Sequence, residues 1–229
     1  MKQYLDLLQN ILDNGVEKES GRTNMPNTIG ISHGVIQMDM ADGFPLLTTK
    51  KMFLRGIIHE LLWILRGDTN IKYLVDNNVN IWNGDAYRWY IKKGKDYGYP
   101  TPTFDTIDKF IDAVKKENTP YSLKEFSQRD GNEYKIGDLG KVYGYQWRNQ
   151  NGVDQVKDVI EGLRDNPYSR YHIIDAWQKS DFKDMALPPC HLLYQFIVRP
   201  LSLDERSRYA YDEGWSHTAI TKDDLEHEM

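Results

Sequence analysis

Apolar positions along the chain fall into a few clear periodic runs separated by polar turns. Tyr4, Leu7, Leu8, Ile11 and Leu12 recur at helical spacing, and Gly15 follows at the place of a C′ glycine, so residues 2–14 are expected to form an amphipathic helix. Ile36, Met38 and Met40 alternate and predict a strand with those three on one face. Around residues 53–66, Leu54, Ile57, Ile58, Leu61, Leu62, Trp63, Ile64 and Leu65 leave almost no polar stripe, which predicts a helix buried on nearly every side. Gly67-Asp68-Thr69-Asn70 ends it and caps a shorter helix. Val156, Val159, Ile160 and Leu163 mark a further helix at 154–164, stopped by Asp165-Asn166-Pro167, and Ser169 to Trp177 reads as a turn into a buried strand.

The last patterned stretch, Asp184 to Val198, holds the only cysteine. Pro188 and Pro189 deny their backbone a helix and two donors, so Cys190 enters a strand from a stiff, extended approach. Beyond it Leu192, Tyr194, Phe196 and Val198 share one face, and His191 and Gln195 share the other with Leu193 and Ile197, as in a largely buried strand. A free cysteine there is either a small buried hydrophobe or a reactive thiol. Glu60 poses a similar choice. A carboxylate on so apolar a helix costs several kcal/mol unless it is paired, hydrogen-bonded or protonated, so it either meets a core arginine or a backbone group, or serves chemistry.

From about Asp85 to Gly137 tyrosine, lysine, glycine and proline crowd together, and only Ile107, Phe110, Ile111 and Val114 repeat at helical spacing. Residues 85–137 are therefore expected to form a small, half-exposed insertion within one domain spanning 1–229. After Val198 the chain turns polar and acidic, with a short terminal helix expected to open at Thr221 or Asp223. The 229 residues, 40% of them hydrophobic and 28% charged, suffice for one sizeable core. A net charge of −5 argues against nonspecific binding to nucleic acid or an anionic membrane and leaves room for one local cationic pocket. One cysteine makes no internal disulfide, and no long apolar run or secretory leader is legible, so a cytoplasmic setting is expected. No histidine, cysteine or acidic cluster has metal-ligand spacing.

Met-Ala-Leu-Pro-Pro-Cys-His followed by Gln-Phe resembles the nucleophile segment of the thymidylate synthase family, which also includes pyrimidine nucleotide hydroxymethylases. His59-Glu60-Leu61-Leu62-Trp63, Asn78-Val79-Asn80-Ile81-Trp82 and Tyr143-Gly144-Tyr145-Gln146-Trp147-Arg148 are similar to further stretches of that family, and the resemblance covers roughly residues 1–198. It implies an α+β fold, a bent mixed β-sheet with helices packed on one face and the opposite sheet face used for a homodimer. It implies reductive methylation of dUMP to dTMP with 5,10-methylenetetrahydrofolate as cosubstrate and no metal. Cys190 would be the nucleophile, with Glu60 and Tyr143 moving protons; Arg22 and Arg170 would bind the nucleotide phosphate, and Lys50, Phe53, Ile81 and Trp82 the folate. Where the family has two consecutive arginines, this chain has Arg170 and Tyr171, so one charge-assisted contact of about 1.5–3 kcal/mol is expected to be missing. Glycines of the family's phosphate loop are replaced by Asn24, Met25 and Pro26. The family's C-terminal third, including its base-reading asparagine, is not found, so the chain is expected to be incomplete or to work with a complementary C-terminal chain. Two rivals follow from the resemblance: a dUMP or dCMP hydroxymethylase, which adds water in place of hydride, and a noncatalytic truncated subunit.

Overall fold

The computed structural model describes residues 1–21, 25–96, 104–118 and 135–212. The chain divides into two compact units, Met1–Arg55 and Gly56–Met229. In the first, helix α1 (Lys2–Asn14) precedes a short antiparallel ladder of β1 (Val16–Lys18) and β2 (Thr28–Gly30), with Val16 opposite Gly30. Gly15 does follow α1, but its backbone is extended (φ −74°). Glycine is needed there for space: a Cβ would stand 2.3 Å from the Ile11 carbonyl oxygen and 2.5 Å from Ile29 Cγ2. The strand expected over Ile36 to Met40 does not form. Gln37 instead has both backbone groups engaged by one side chain, donating to Gln3 Oε1 (2.9 Å) and accepting from Gln3 Nε2 (2.6 Å). That amide satisfies the backbone as a neighbouring strand would, and Ile36, Met38 and Met40 stay exposed.

The second unit is mainly helical. Helix α2 (Leu54–Leu65) begins at the boundary; α3 (Lys72–Asp76), α4 (Asn83–Asp96), α5 (Ile107–Lys115), α6 (Tyr143–Asn149) and α7 (Gln155–Asp165) follow. A second antiparallel ladder joins β3 (Ile173–Asp175) to β4 (Leu193–Gln195), with Ile174 opposite Tyr194. Among the described residues the sheet structure is thus two separate two-stranded ladders. The core gathers Trp63, Ile71, Leu74, Val79, Phe110, Leu139, Val142 and Trp147 with their neighbours. Phe110, Ala113 and Val114 on α5, and Ala86 and Trp89 on α4, are buried, so these two helices, the described part of the expected half-exposed insertion that forms helix, add inward-facing residues to the unit. Composition hid α4 behind lysines and tyrosines, although Ala86 and Trp89 are three apart on its inner face.

Local chemistry explains the joints. Gly67 ends α2 at a positive φ of 76°, and Asn70 Oδ1 accepts from Lys72 N at the opening of α3 (2.9 Å). Thr106 and Asp154 cap α5 and α7 by accepting from Lys109 N and Lys157 N. Helix α6 lies so close to the turn after α2 that a Cβ on Gly144 would meet the Asp68 carbonyl oxygen at 2.2 Å. Arg148 closes the joint, bonding Asp154 through two nitrogens (both 2.8 Å) and the Leu65 carbonyl through a third (2.6 Å).

A buried polar group secures the approach to Cys190. Asp181, on the 3-10 turn Lys179–Asp184, accepts from Lys141 Nζ (2.9 Å) and from the fully buried Gln146 Nε2 (3.1 Å). Burial alone pushes the Asp181 carboxyl up, but these two hydrogen bonds outweigh it and hold the group below its usual range. A depressed folded value stabilises the fold fully above the unfolded carboxyl pKa of about 4 and is lost as pH falls through the folded value. Asp181→Asn, which keeps the shape, should therefore cost about 2 kcal/mol at neutral pH. That deficit should vanish in strong acid. Urea melts from neutral to acidic pH check this, and a deficit independent of pH would refute it.

Two corrections concern burial. Helix α2 is not enclosed on nearly every side: Gly56, Trp63 and Ile64 are buried, while Leu54, Ile57, Ile58, Leu61 and Leu62 are exposed, Ile58 by 49%. Nor is β4 buried. All three of its residues are exposed, because among the described residues its one ladder neighbour is β3. Beyond β4, helix α8 (Leu203–Asp212) is opened by a reciprocal capping box, in which Glu205 N donates to Ser202 Oγ and Ser202 N donates to Glu205 Oε2. Arg199 holds the Glu205 carboxyl well below its usual range, helped by Ser202. The helix expected at Thr221 or Asp223 lies outside the described residues.

Candidate active site

Glu60 sits on α2 beside the exposed aliphatic face and is half-buried. Its partner is neither an arginine nor a helix end: the Trp82 indole Nε1 donates to Glu60 Oε1 at 2.8 Å. Trp82 precedes α4 and is nearly enclosed, with Trp63 at 5.8 Å and Tyr143 edge-on at 6.2 Å between ring centroids. Tyr143 opens α6, and its hydroxyl accepts from the backbone N–H of Cys190 (2.5 Å) and of His191 (3.2 Å). An unbroken series of contacts therefore runs from the Glu60 carboxyl through Trp82 and Tyr143 to the backbone of Cys190.

The Tyr143 phenol is pushed up from its ordinary pKa by burial, with the neighbouring Cys190 sulfur adding to the shift and the two amide donors opposing it. It stays protonated at neutral pH. Because its oxygen accepts two backbone N–H groups, its own proton remains available to donate. Cys190 is a free, exposed thiol, at odds with the reading of a small buried hydrophobe. His191 lies against it in sequence, with Tyr143 at 5.1 Å between rings and its Nδ1 3.1 Å from the Tyr194 hydroxyl.

The segment ahead of the thiol is anchored at several points. Lys141 N donates to the Asp184 carbonyl (2.9 Å) and Ala186 N to the Leu139 carbonyl (2.8 Å). This close pairing needs Gly140, whose φ is +76° and whose Cβ would lie 2.0 Å from the Asp184 oxygen. Nearer the sulfur, the Trp177 indole Nε1 donates to the Pro189 carbonyl at 3.0 Å. Lys141, Asp181, Gln146 and Trp177 were not singled out as site residues from sequence. Their partners lie 12 to 40 positions away, and no local spacing announces them.

Arg170 is exposed just ahead of β3, and its carbonyl accepts from Gln195 Nε2 on β4 (3.3 Å). Tyr171 beside it is 82% exposed. Ile81 is exposed next to the nearly enclosed Trp82, whose ring meets Trp63 and Tyr143. Lys50 and Phe53 are exposed residues of the first unit, and Arg22 lies outside the described residues. Among the described residues no group of three or more His, Cys, Asp or Glu stands close enough to hold a metal ion, and no helix is long and apolar enough to cross a membrane.

The family described as thymidylate synthase matches residues 2–210, nearly the whole of the described chain. The chain belongs to the thymidylate synthase family. The match reaches Ala210, beyond the Val198 limit of the motif-based resemblance. The thymidylate synthase of Malacoplasma penetrans (strain HF-2) is 47% identical over 202 residues, which cover 86% of this chain and 62% of that protein. Those of Mycoplasma genitalium and Mesoplasma florum are 46% and 44% identical, again covering 86% of this chain and 62% of each relative. The chain thus spans about 62% of the length of the curated relatives it matches. A mixed α/β structure of helices with small antiparallel ladders accords with membership of the thymidylate synthase family.

Proposed function

We propose that this chain carries the nucleophile-bearing part of a thymidylate synthase, which methylates dUMP reductively to dTMP with 5,10-methylenetetrahydrofolate. The observation that carries the reading is the series Glu60, Trp82, Tyr143, Cys190, which groups one acid, one phenol and one exposed thiol. Cys190 Sγ, as thiolate, forms a bond to C6 of the uracil, and the C5–C6 double-bond electrons move toward C5 and the C4 oxygen. C5 thereby becomes the nucleophile. Glu60 and Tyr143 relay protons between solvent and the ring: removal of the C5 proton lets the folate nitrogen leave the transferred carbon, and hydride arriving at that carbon then expels the sulfur and restores the C5–C6 double bond. The folate, when bound, supplies the one-carbon unit and the hydride. The exposed aliphatic edge of Ile81 beside Trp82 suits a flat heteroaromatic ring, and we assign Ile81, Trp82, Lys50 and Phe53 to the folate and Arg22 and Arg170 to the nucleotide phosphate.

In this reading residues 1–229 act as one thymidylate synthase-like domain in the cytoplasm, with no metal. The uncovered apolar faces of α2 and β4 support assembly with a second copy through an enlarged, bent mixed sheet, or with a complementary C-terminal chain. The test is incubation with dUMP and 5,10-methylenetetrahydrofolate, following dihydrofolate absorbance and the mass of the denatured protein. Dihydrofolate together with dTMP is the expected result. Hydroxymethylated nucleotide without dihydrofolate would replace the reading by the hydroxymethylase. Neither product nor a covalent adduct on Cys190, even with a complementary C-terminal chain supplied, would make the chain a noncatalytic subunit.

A further inference from the structure

The peptide group joining Pro189 to Cys190 is held at both edges. Its N–H donates to the Tyr143 hydroxyl at 2.5 Å, and its carbonyl accepts from the Trp177 indole at 3.0 Å. An amide is planar, so two bonds on opposite edges fix its rotation about the chain. From that plane the sulfur of Cys190 is separated by φ and one side-chain torsion, and the His191 N–H, which donates to the same Tyr143 hydroxyl (3.2 Å), restrains the first of them. The two proline rings upstream remove φ freedom that would otherwise let the plane tilt. Trp177 is itself anchored: its backbone N–H donates to Asp175 Oδ1 (3.1 Å), and its ring meets Phe182 edge-on at 5.0 Å. Phe182 belongs to the Lys179–Asp184 turn that Asp181 ties to Lys141.

We infer that Trp177 is a positioning residue for the Cys190 nucleophile, acting through the Pro189 carbonyl. Donation to one edge of an amide also strengthens the donor at the other, so the indole tightens the bond from Cys190 N–H to the Tyr143 hydroxyl. The catalytic consequence rests on the proposed function; the structural one does not.

Because Cys190 is the sole cysteine, protein made with isotope-labelled cysteine shows a single cysteine amide resonance. Two variants are compared with the unsubstituted chain: Trp177→Phe, and replacement of Trp177 by benzothienylalanine, which keeps the ring shape and puts sulfur in place of N–H. In both, the Cys190 amide resonance should move and its solvent exchange rise about tenfold, the size of one lost hydrogen bond. For dTMP formation kcat should fall about tenfold while KM for dUMP stays within about twofold. If Trp177→Phe unfolds, the isostere carries the test. An unmoved amide resonance and exchange rate in the isostere overturn the inference, and so does a loss expressed in KM alone. If the unsubstituted protein makes no dTMP even with a complementary C-terminal chain supplied, the functional reading fails, and the amide measurement alone then decides the role of Trp177.

Discussion

If the chain acts as the proposed synthase, Cys190→Ala is expected to lower dTMP formation by at least about 10⁴-fold and to abolish the covalent nucleotide adduct, because the substitution removes the thiolate that would make C5 of the uracil nucleophilic. The ring is a weak electrophile, and no neighbouring group in the contact series offers comparable nucleophilicity. The thiol is exposed, and Tyr143 accepts from the Cys190 backbone N–H at 2.5 Å. Alanine therefore keeps that backbone hydrogen bond, and the melting temperature should barely change. Intact-mass measurement after incubation with dUMP and the folate checks the adduct, and dihydrofolate absorbance checks turnover. An adduct that survives the substitution would show that another residue bonds the nucleotide.

Glu60→Gln should lower kcat by roughly 10²–10³-fold, within the range expected for a lost general acid–base group. Glutamine still presents an oxygen to the Trp82 indole, so the bond seen at 2.8 Å has a replacement and the core around Trp82 should hold. Trp82→Phe supplies the contrast, since it leaves the carboxylate and removes the donor. If Glu60 serves only to seat Trp82, Trp82→Phe should be the more damaging change and Glu60→Gln nearly silent. If Glu60 moves protons, the order reverses. Steady-state kinetics of the two variants, with a melting curve for each, separates the cases.

The two residues on which these predictions rest were legible in the chain for specific reasons. Glu60 stands out as an acid amid eight large apolar positions, and Cys190 follows two prolines that force an extended approach. Burial was less legible than secondary structure. Period two assigns Leu193 and Tyr194 to opposite faces of β4, but it carries no information on whether either face is covered, and both are exposed. The same holds for α2, whose aliphatic run reads as enclosed although Ile57, Ile58, Leu61 and Leu62 meet solvent. Ile36 to Met40 alternates convincingly, yet the Gln3 amide, 34 residues away, takes the backbone groups of Gln37 that a strand would offer a neighbour. Polar, acidic composition after Val198 conceals helix α8, although Ser202 and Glu205 stand at capping-box spacing. Contacts such as Lys141 with Asp181 depend on chain reversals that no short window encodes.

Helix α2 is fastened unevenly. Its last turn holds Trp63, whose indole N–H donates to the Asn70 carbonyl (2.8 Å), and Leu65, whose carbonyl takes the Arg148 guanidinium. Four of the large aliphatic side chains between residues 57 and 62 face water and add little cohesion to the turns that carry them. Fraying therefore begins at the amino-terminal end and is arrested at His59, whose Nδ1 lies 2.8 Å from the Tyr73 hydroxyl. Glu60 follows that stop and is tied to the enclosed Trp82, so the acid keeps its place against the ring while the turn ahead of it is free to open.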